Sequence, residues 1–396
     1  MATVIKIKTG TATPTTSDIT DREVAIDKTA QKFYINDGGT IKEIAGAAAQ
    51  GNAFANIHNA KKAYSPMINI VGDHASYHLK HNAPLTSDLD GLAKSSSDWV
   101  KRVSSPEQIT QCANDAWKAA NEAPGNIATL IVPADYAWSD IEPDLPKKVE
   151  LNNRKSVDKK LIEAAYKLLL KPNSMLYLGG KFLDEECLKF AAQIATKTGC
   201  RLVTDTFVSR IRRGAGLPIV QQVPYFSEMA EDFLQGTESI VFIGTKPPVS
   251  FFAYPDKKSF LSPDEAELFE LCSVEENGYE ALALLSELSG SSKIANELIR
   301  PYIADVPTSG DLDIITLGPL IADIMPEESI VSDESATSSL IVTPHALQAK
   351  PHDWLALTCG SIGQGLPLAI GASIAKPDRP VITLHGDGGA MYTIQA

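Results

Sequence analysis

Gly386-Asp387-Gly388 closes the apolar, β-branched run Val381–Leu384 near the carboxyl end of a 396-residue chain. Just upstream, Gly360, Gly363, Gly365 and Gly371 punctuate a stretch of small residues, TCGSIGQGLPLAIGASIA. A strand ending in Gly-Asp-Gly beside a glycine-rich helix start is a pattern for binding ions and phosphates. Ligands of open α/β sheets gather at strand carboxyl ends, where helix N-termini present free amides. A carboxylate there would repel a pyrophosphate unless a hard cation bridges the two. Mg2+ suits that task, since one or two carboxylates plus phosphate oxygens commonly hold it. The flanking glycines let a ligand approach the backbone. Asp-Gly is also a common tight-turn dipeptide; the preceding strand and the glycine-rich helix start favour the ligand site.

Other candidates are less specific. His74, His78 and His81 are spaced to align on a helix and hold zinc. They follow a strand and a Gly-Asp-His turn, however, and run into Asn82-Ala83-Pro84, so a loop is expected instead. Asp73 and His74, at that strand's carboxyl end, are candidates to face a substrate. The stretch GAGLPI, residues 214–219, lacks the last glycine of a dinucleotide fingerprint, which argues against a nucleotide-dependent dehydrogenase. Arg210, Arg212 and Arg213 read as a solvated basic face.

The elements that must position these residues follow from periodicity. Residues 1–48 hold short β-like pieces, VIKIK, EVAI and KFYIN, with a hairpin turn at Asn36-Asp37-Gly38-Gly39, and read as a small β-module. From residue 49 helices alternate with strands expected to be buried: MINIVGDH, ATLIVPADYAW, MLYLGGK, CRLVTDTF and SIVFIG. Parallel strands need crossovers, usually helical, so this order predicts α/β, Rossmann-like parallel sheets. The Pro- and charge-rich IEPDLPKKVELNNRKSVD reads as a linker. The expected divisions are 1–48, 49–147, 148–300 and 301–396.

Composition narrows the partners. Thirty-six basic and 49 acidic side chains give a net charge of −13, which argues against nucleic acid or an anionic membrane. No apolar run is long enough to span a bilayer and the start has no signal-peptide core, so a cytoplasmic location is expected. Five scattered cysteines without a CxxC pair indicate neither disulfides nor zinc and read as small buried residues.

GSIGQGLPLAIGA and GDGGAMYTIQA together resemble the diphosphate-binding domain of thiamine diphosphate enzymes of the acetolactate synthase and benzoylformate decarboxylase type. The resemblance extends over about residues 49–396: residues 49–147 resemble part of the pyrimidine-binding domain, 148–300 the central domain, and 301–396 the first part of the diphosphate-binding domain. It implies thiamine pyrophosphate and Mg2+ as cofactors and a small 2-keto acid such as pyruvate as substrate, with decarboxylation and carboligation. It also implies a homodimer or homotetramer, because the family's active sites lie between subunits. By position it makes Asp387 the metal ligand and sets Gly386, Gly388, Gly389 and Ala390 under the diphosphate. Gly360 would offer its carbonyl to the aminopyrimidine, Ile362 would prop the bent cofactor, and Gly363 would join the same cofactor site. SDESATSS puts Thr337 and Ser338 near the phosphates, or else at a helix N-cap.

Two departures accompany it. The family's proton-shuttling Glu and the Asn that completes its metal motif have no counterpart here, and Glu23 and Glu43 lie in unrelated context. Residues 1–48 instead resemble the N-terminal segment of phage tail-fibre proteins. The expectation is an enzyme fragment that binds cofactor weakly without turnover; the alternative is a non-catalytic, phage-associated fusion carrying the α/β region as passenger.

Overall fold

The computed structural model describes residues 7–10, 15, 17, 24–27, 32–37, 40–44, 47–141, 149–302, 306 and 309–395. They fall into two units, 1–152 and 153–396. In the first, the expected β-module comprises β1 (Ile7–Gly10), β2 (Val24–Asp27), β3 (Lys32–Asp37) and β4 (Thr40–Ile44). β1 and β2 run parallel, the others antiparallel, and Asp37 opposite Thr40 closes the expected hairpin.

The first unit continues with α1 (Ala47–Lys62), β5 (Met67–Asp73), α2 (Leu89–Ser96), β6 (Trp99–Arg102), α3 (Ile109–Asn121), β7 (Ile127–Pro133) and α4 (Ala134–Trp138). The three strands form a parallel sheet in the order β5-β7-β6. β7 lies in the middle and is buried on both faces, as its unbroken apolar run requires. Cys112, Ala116 and Ala120, four apart on α3, pack against Leu130 and Ala128 of β7. β5 corrects the expectation of a buried strand. It is an edge strand whose Ile70 is 69% exposed, while Val71 on its other face is buried.

The second unit begins with α5 (Lys159–Leu169), β8 (Ser174–Leu178), α6 (Glu185–Thr198), β9 (Arg201–Thr204), β10 (Ile211–Arg213), β11 (Gln221–Gln222), α7 (Ser227–Leu234), β12 (Ser239–Ile243), β13 (Glu267–Cys272) and α8 (Gly278–Ser289). Five of these strands make a parallel sheet in the order β11-β9-β8-β12-β13. α6 shows how local sequence sets the boundaries. The Asp184 carboxylate accepts from the Glu186 and Cys187 amides at one end, and Gly199 takes φ 76° at the other.

β10 leaves this sheet. It pairs antiparallel with β15 in a second sheet built from α9 (Ile314–Ile324), β14 (Ile330–Glu334), α10 (Ser339–Ala346), β15 (His352–Ala356), α11 (Gly365–Ala375), β16 (Val381–His385) and α12 (Asp387–Ala390). The order is β10-β15-β14-β16, parallel apart from β10. β16 is therefore an edge strand, half-buried rather than buried. One apolar core spans both sheets, from Leu178 and Leu188 to Met325, Val331 and Trp354.

The basic triplet is not a solvated face. Pairing of β10 buries Arg212 and Arg213; Arg212 forms ion pairs with Glu185 and Glu328. Only Arg210 keeps an exposed side chain, with its Nε 2.8 Å from Asp353. Four cysteines are buried as expected, and Cys359 is half-buried. Among the described residues no helix is long and apolar enough to cross a membrane.

Candidate functional site

The carboxyl ends of β14 and β16 bring the two glycine motifs together. Register pairs Glu334 with His385, the last residues of the two strands. The Glu334 side chain, 4% exposed, turns under the glycine-rich loop and accepts from the amides of Gly363 at 2.5 Å and Gly365 at 2.7 Å. Its Oε2 lies 3.7 Å from Nε2 of His385, and that buried nitrogen makes no hydrogen bond. His385 Nδ1 lies 2.9 Å from the Gly386 carbonyl, so one tautomer closes the turn.

This pair explains the glycines on both sides. A Cβ on Gly365 would come within 2.6 Å of the His385 ring, and one on Gly389 within 3.0 Å of both His385 and Glu334. Gly363, at φ 99°, lies against Tyr392, and its carbonyl accepts from the Thr393 hydroxyl at 2.7 Å. The loop before α11 and the segment after Asp387 are thus fastened to each other. The amides of Gly363 and Gly365, expected to be free for phosphate, are already satisfied by Glu334.

What remains open lies at Gly386–Ala390. Asp387 is exposed and has no ion-pair partner among the described residues. A Cβ on Gly388 would meet nothing within 4 Å, so the backbone there is accessible. An unpaired carboxylate next to accessible backbone is the donor set that a hard cation bridging to phosphate requires, so these residues fit such a group. Ile362 is 43% exposed, an apolar side chain with a free face, and Gly360 is exposed beside Phe251.

Thr337 and Ser338 occupy a single 3-10 turn after β14. Asp333 organises that turn by accepting from the Ser335 amide at 3.0 Å and from the hydroxyls of Ser335 and Ser339. Neither Thr337 nor Ser338 makes a side-chain cap on the following helix; Thr337 is exposed.

In the first unit, Asp73 does end β5, but its carboxylate is only 4% exposed. It forms an ion pair with Arg102, which also binds Asp90 at 2.6 Å, and it accepts from the His74 amide at 2.7 Å. His74, His78 and His81 follow in a turn and a 3-10 helix, with successive ring centroids 5.4 and 5.7 Å apart. The stretch is a turn and a short 3-10 helix, not the single helix that would align the three rings; among the described residues no group of three potential ligands comes together.

Glu334 and His385 escaped the sequence reading. The signal was a Glu at the end of an apolar strand in IVSDES and a His directly before Gly-Asp-Gly.

Residues 336–396 match the family model for the C-terminal TPP-binding domain of thiamine pyrophosphate enzymes. The chain is 39% identical over 349 residues to Mycobacterium tuberculosis IlvX, a protein that carries an acetolactate synthase large-subunit name; the match covers 87% of this chain and 66% of that protein. It is 24% identical over 370 residues to Pseudomonas aeruginosa benzoylformate decarboxylase, covering 88% and 69%. The fold is that of Rhodococcus jostii thiamine diphosphate-dependent 4-hydroxybenzoylformate decarboxylase, with a TM-score of 0.71, 21% identity and coverage of 88% and 69%. The chain thus spans about two thirds of the length of these relatives. The matched domain implies thiamine pyrophosphate as cofactor, for which Mg2+ is the usual partner metal in the family. With the C-terminal match and these homologues in place, the chain belongs to the thiamine pyrophosphate-dependent enzyme family.

Proposed function

We propose that the chain binds thiamine pyrophosphate with Mg2+ and serves a 2-keto acid reaction of the acetolactate synthase kind, decarboxylation followed by carboligation. The observation that carries this reading is the meeting of the two glycine motifs around Glu334, with an unpaired aspartate at the same sheet edge. Thiamine pyrophosphate, when bound, supplies the carbanion-stabilising chemistry that such a reaction needs. The chain's own residues hold it. Asp387 ligates the metal, Gly386 and Gly388–Ala390 lie beneath the diphosphate, and Thr337 and Ser338 offer hydroxyls. Gly360 presents its carbonyl, Ile362 supports the cofactor through its free apolar face, and Gly363 fixes the loop. In the first unit, Asp73 is engaged by Arg102, so its part is to position His74, which is left to face substrate.

A homodimer or homotetramer in the cytoplasm completes the proposal. A passenger role in a phage-associated protein gains no support from the relatives.

Calorimetric titration of the chain with thiamine pyrophosphate in Mg2+ tests the reading. Saturable heat that requires Mg2+ and disappears in Asp387→Ala is expected. No heat from the wild-type chain at millimolar cofactor would overturn it.

A further inference from the structure

Arg213 is a charge with no counter-charge. Its side chain is buried, the residue is 4% exposed, and no carboxylate lies in ion-pair range of it among the described residues. Its guanidinium stacks on Trp354 with Cζ 3.7 Å from the ring centroid. Nε donates to Nε2 of His352 at 3.3 Å, while His352 Nδ1 donates to the Lys350 carbonyl at 2.7 Å. Burial, reinforced by Arg213 itself, lowers the His352 pKa to about 3, so that ring is neutral and brings no compensating charge. The nearby carboxylate of Asp333 is occupied by Ser335 and Ser339. Nη2 of Arg213 is buried without a hydrogen-bond partner, and so is Nη1 of Arg212.

Arg212 and Arg213 line a cavity together with Arg300, Gln222, Val220 and Leu347. It is a built feature. Residues 216–219 and 298–300 are held by backbone bonds, Gly216 N to Arg300 O and Ile219 N to Leu298 O at 2.8 Å each, and Arg300 N to Leu217 O at 2.9 Å. Guanidinium groups only donate. A water molecule there could accept from them but would leave the Arg213 charge without a counter-ion, Arg212 being already paired with Glu185 and Glu328, which is costly for a buried guanidinium. The space is about that of a single water molecule, too small for phosphate or a nucleotide.

We propose that the cavity bounded by Arg212, Arg213 and Arg300 is a binding site for one halide-sized anion, chloride in ordinary conditions. The anion neutralises the Arg213 guanidinium and ties β10 and β11 to the segment at Arg300, separately from the cofactor site at Gly386–Ala390.

The test uses the full chain in sodium chloride, bromide, phosphate and gluconate at matched ionic strength. Thermal unfolding should show a saturable rise in Tm with chloride and bromide, and none with phosphate or gluconate. Arg300→Gln removes one charged donor and should weaken the apparent halide affinity by about tenfold. Arg213→Met should abolish the dependence; if that variant does not fold, Arg300→Gln and crystallography carry the test. Crystals grown in bromide should give an anomalous peak within hydrogen-bonding distance of Arg213 Nη2. A halide-independent Tm, an equal gain with phosphate, or bromide peaks only elsewhere would overturn the proposal.

Discussion

Two Gly-Asp pairs stand at strand carboxyl ends in this chain, Gly72-Asp73 closing β5 and Gly386-Asp387 just after β16, and the two aspartates meet opposite fates. Asp73, the last residue of β5, has its carboxylate buried and clamped by Arg102, and its second oxygen holds the His74 amide. Asp387, after β16, is exposed, with open space over the neighbouring Gly388. Both stand at the carboxyl ends of edge strands, so strand position does not separate them. What does is an arginine that reaches across the sheet edge: Arg102 ends β6, beyond β7 from β5. Where β6 supplies Arg102, the carboxylate becomes a structural pin; where the neighbour supplies Glu334, already occupied by backbone amides, the carboxylate stays available for a cation.

That contrast can be broken experimentally. Asp73→Ala leaves the Arg102 charge with Asp90 alone and should cost about 3 kcal/mol in denaturant unfolding of the first unit, with cofactor titration unchanged. A loss below 0.5 kcal/mol would make Asp73 no more structural than an exposed acid. Asp387→Ala should do the reverse, weakening Mg2+-dependent cofactor binding by about 100-fold or more while stability stays within about 0.5 kcal/mol. Gly365→Ala drives a Cβ into the His385 ring and should cost about 2 kcal/mol through overpacking; an unchanged midpoint would mean that His385 moves freely. Glu334→Gln keeps the shape but weakens two charge-assisted bonds to Gly363 and Gly365. A loss of about 1 kcal/mol is expected, with faster hydrogen exchange at those two amides as the sharper measure.

Much of this organisation was legible in the residues. The alternation from residue 49 onward and the β3–β4 hairpin follow from periodicity and turn chemistry. So does the approach of the two glycine motifs, because parallel strands put their carboxyl ends on one edge. The departures share a cause: each depends on partners distant in sequence. Arg212 and Arg213 look solvated beside Arg210, and nothing local reveals that β10 pairs with β15 and carries them inward. Ile68 and Ile70 look like core, but an apolar run does not say which strand forms the edge. Glu334 looks like a surface acid until Gly363 and Gly365 return to it.

The excursion of β10 has a consequence for how the chain comes to be folded. Among the described residues the ladder partner of Ile211–Arg213 is His352–Trp354, so on the ribosome it waits on the order of ten seconds for that partner to be made. Throughout that interval a basic strand with two of the molecule's buried guanidiniums stands open. The five-stranded sheet can close without it, but the shared core cannot. Folding of the second unit is therefore expected to complete late and in one step, as a closing of both layers, and not as two cassettes maturing in turn.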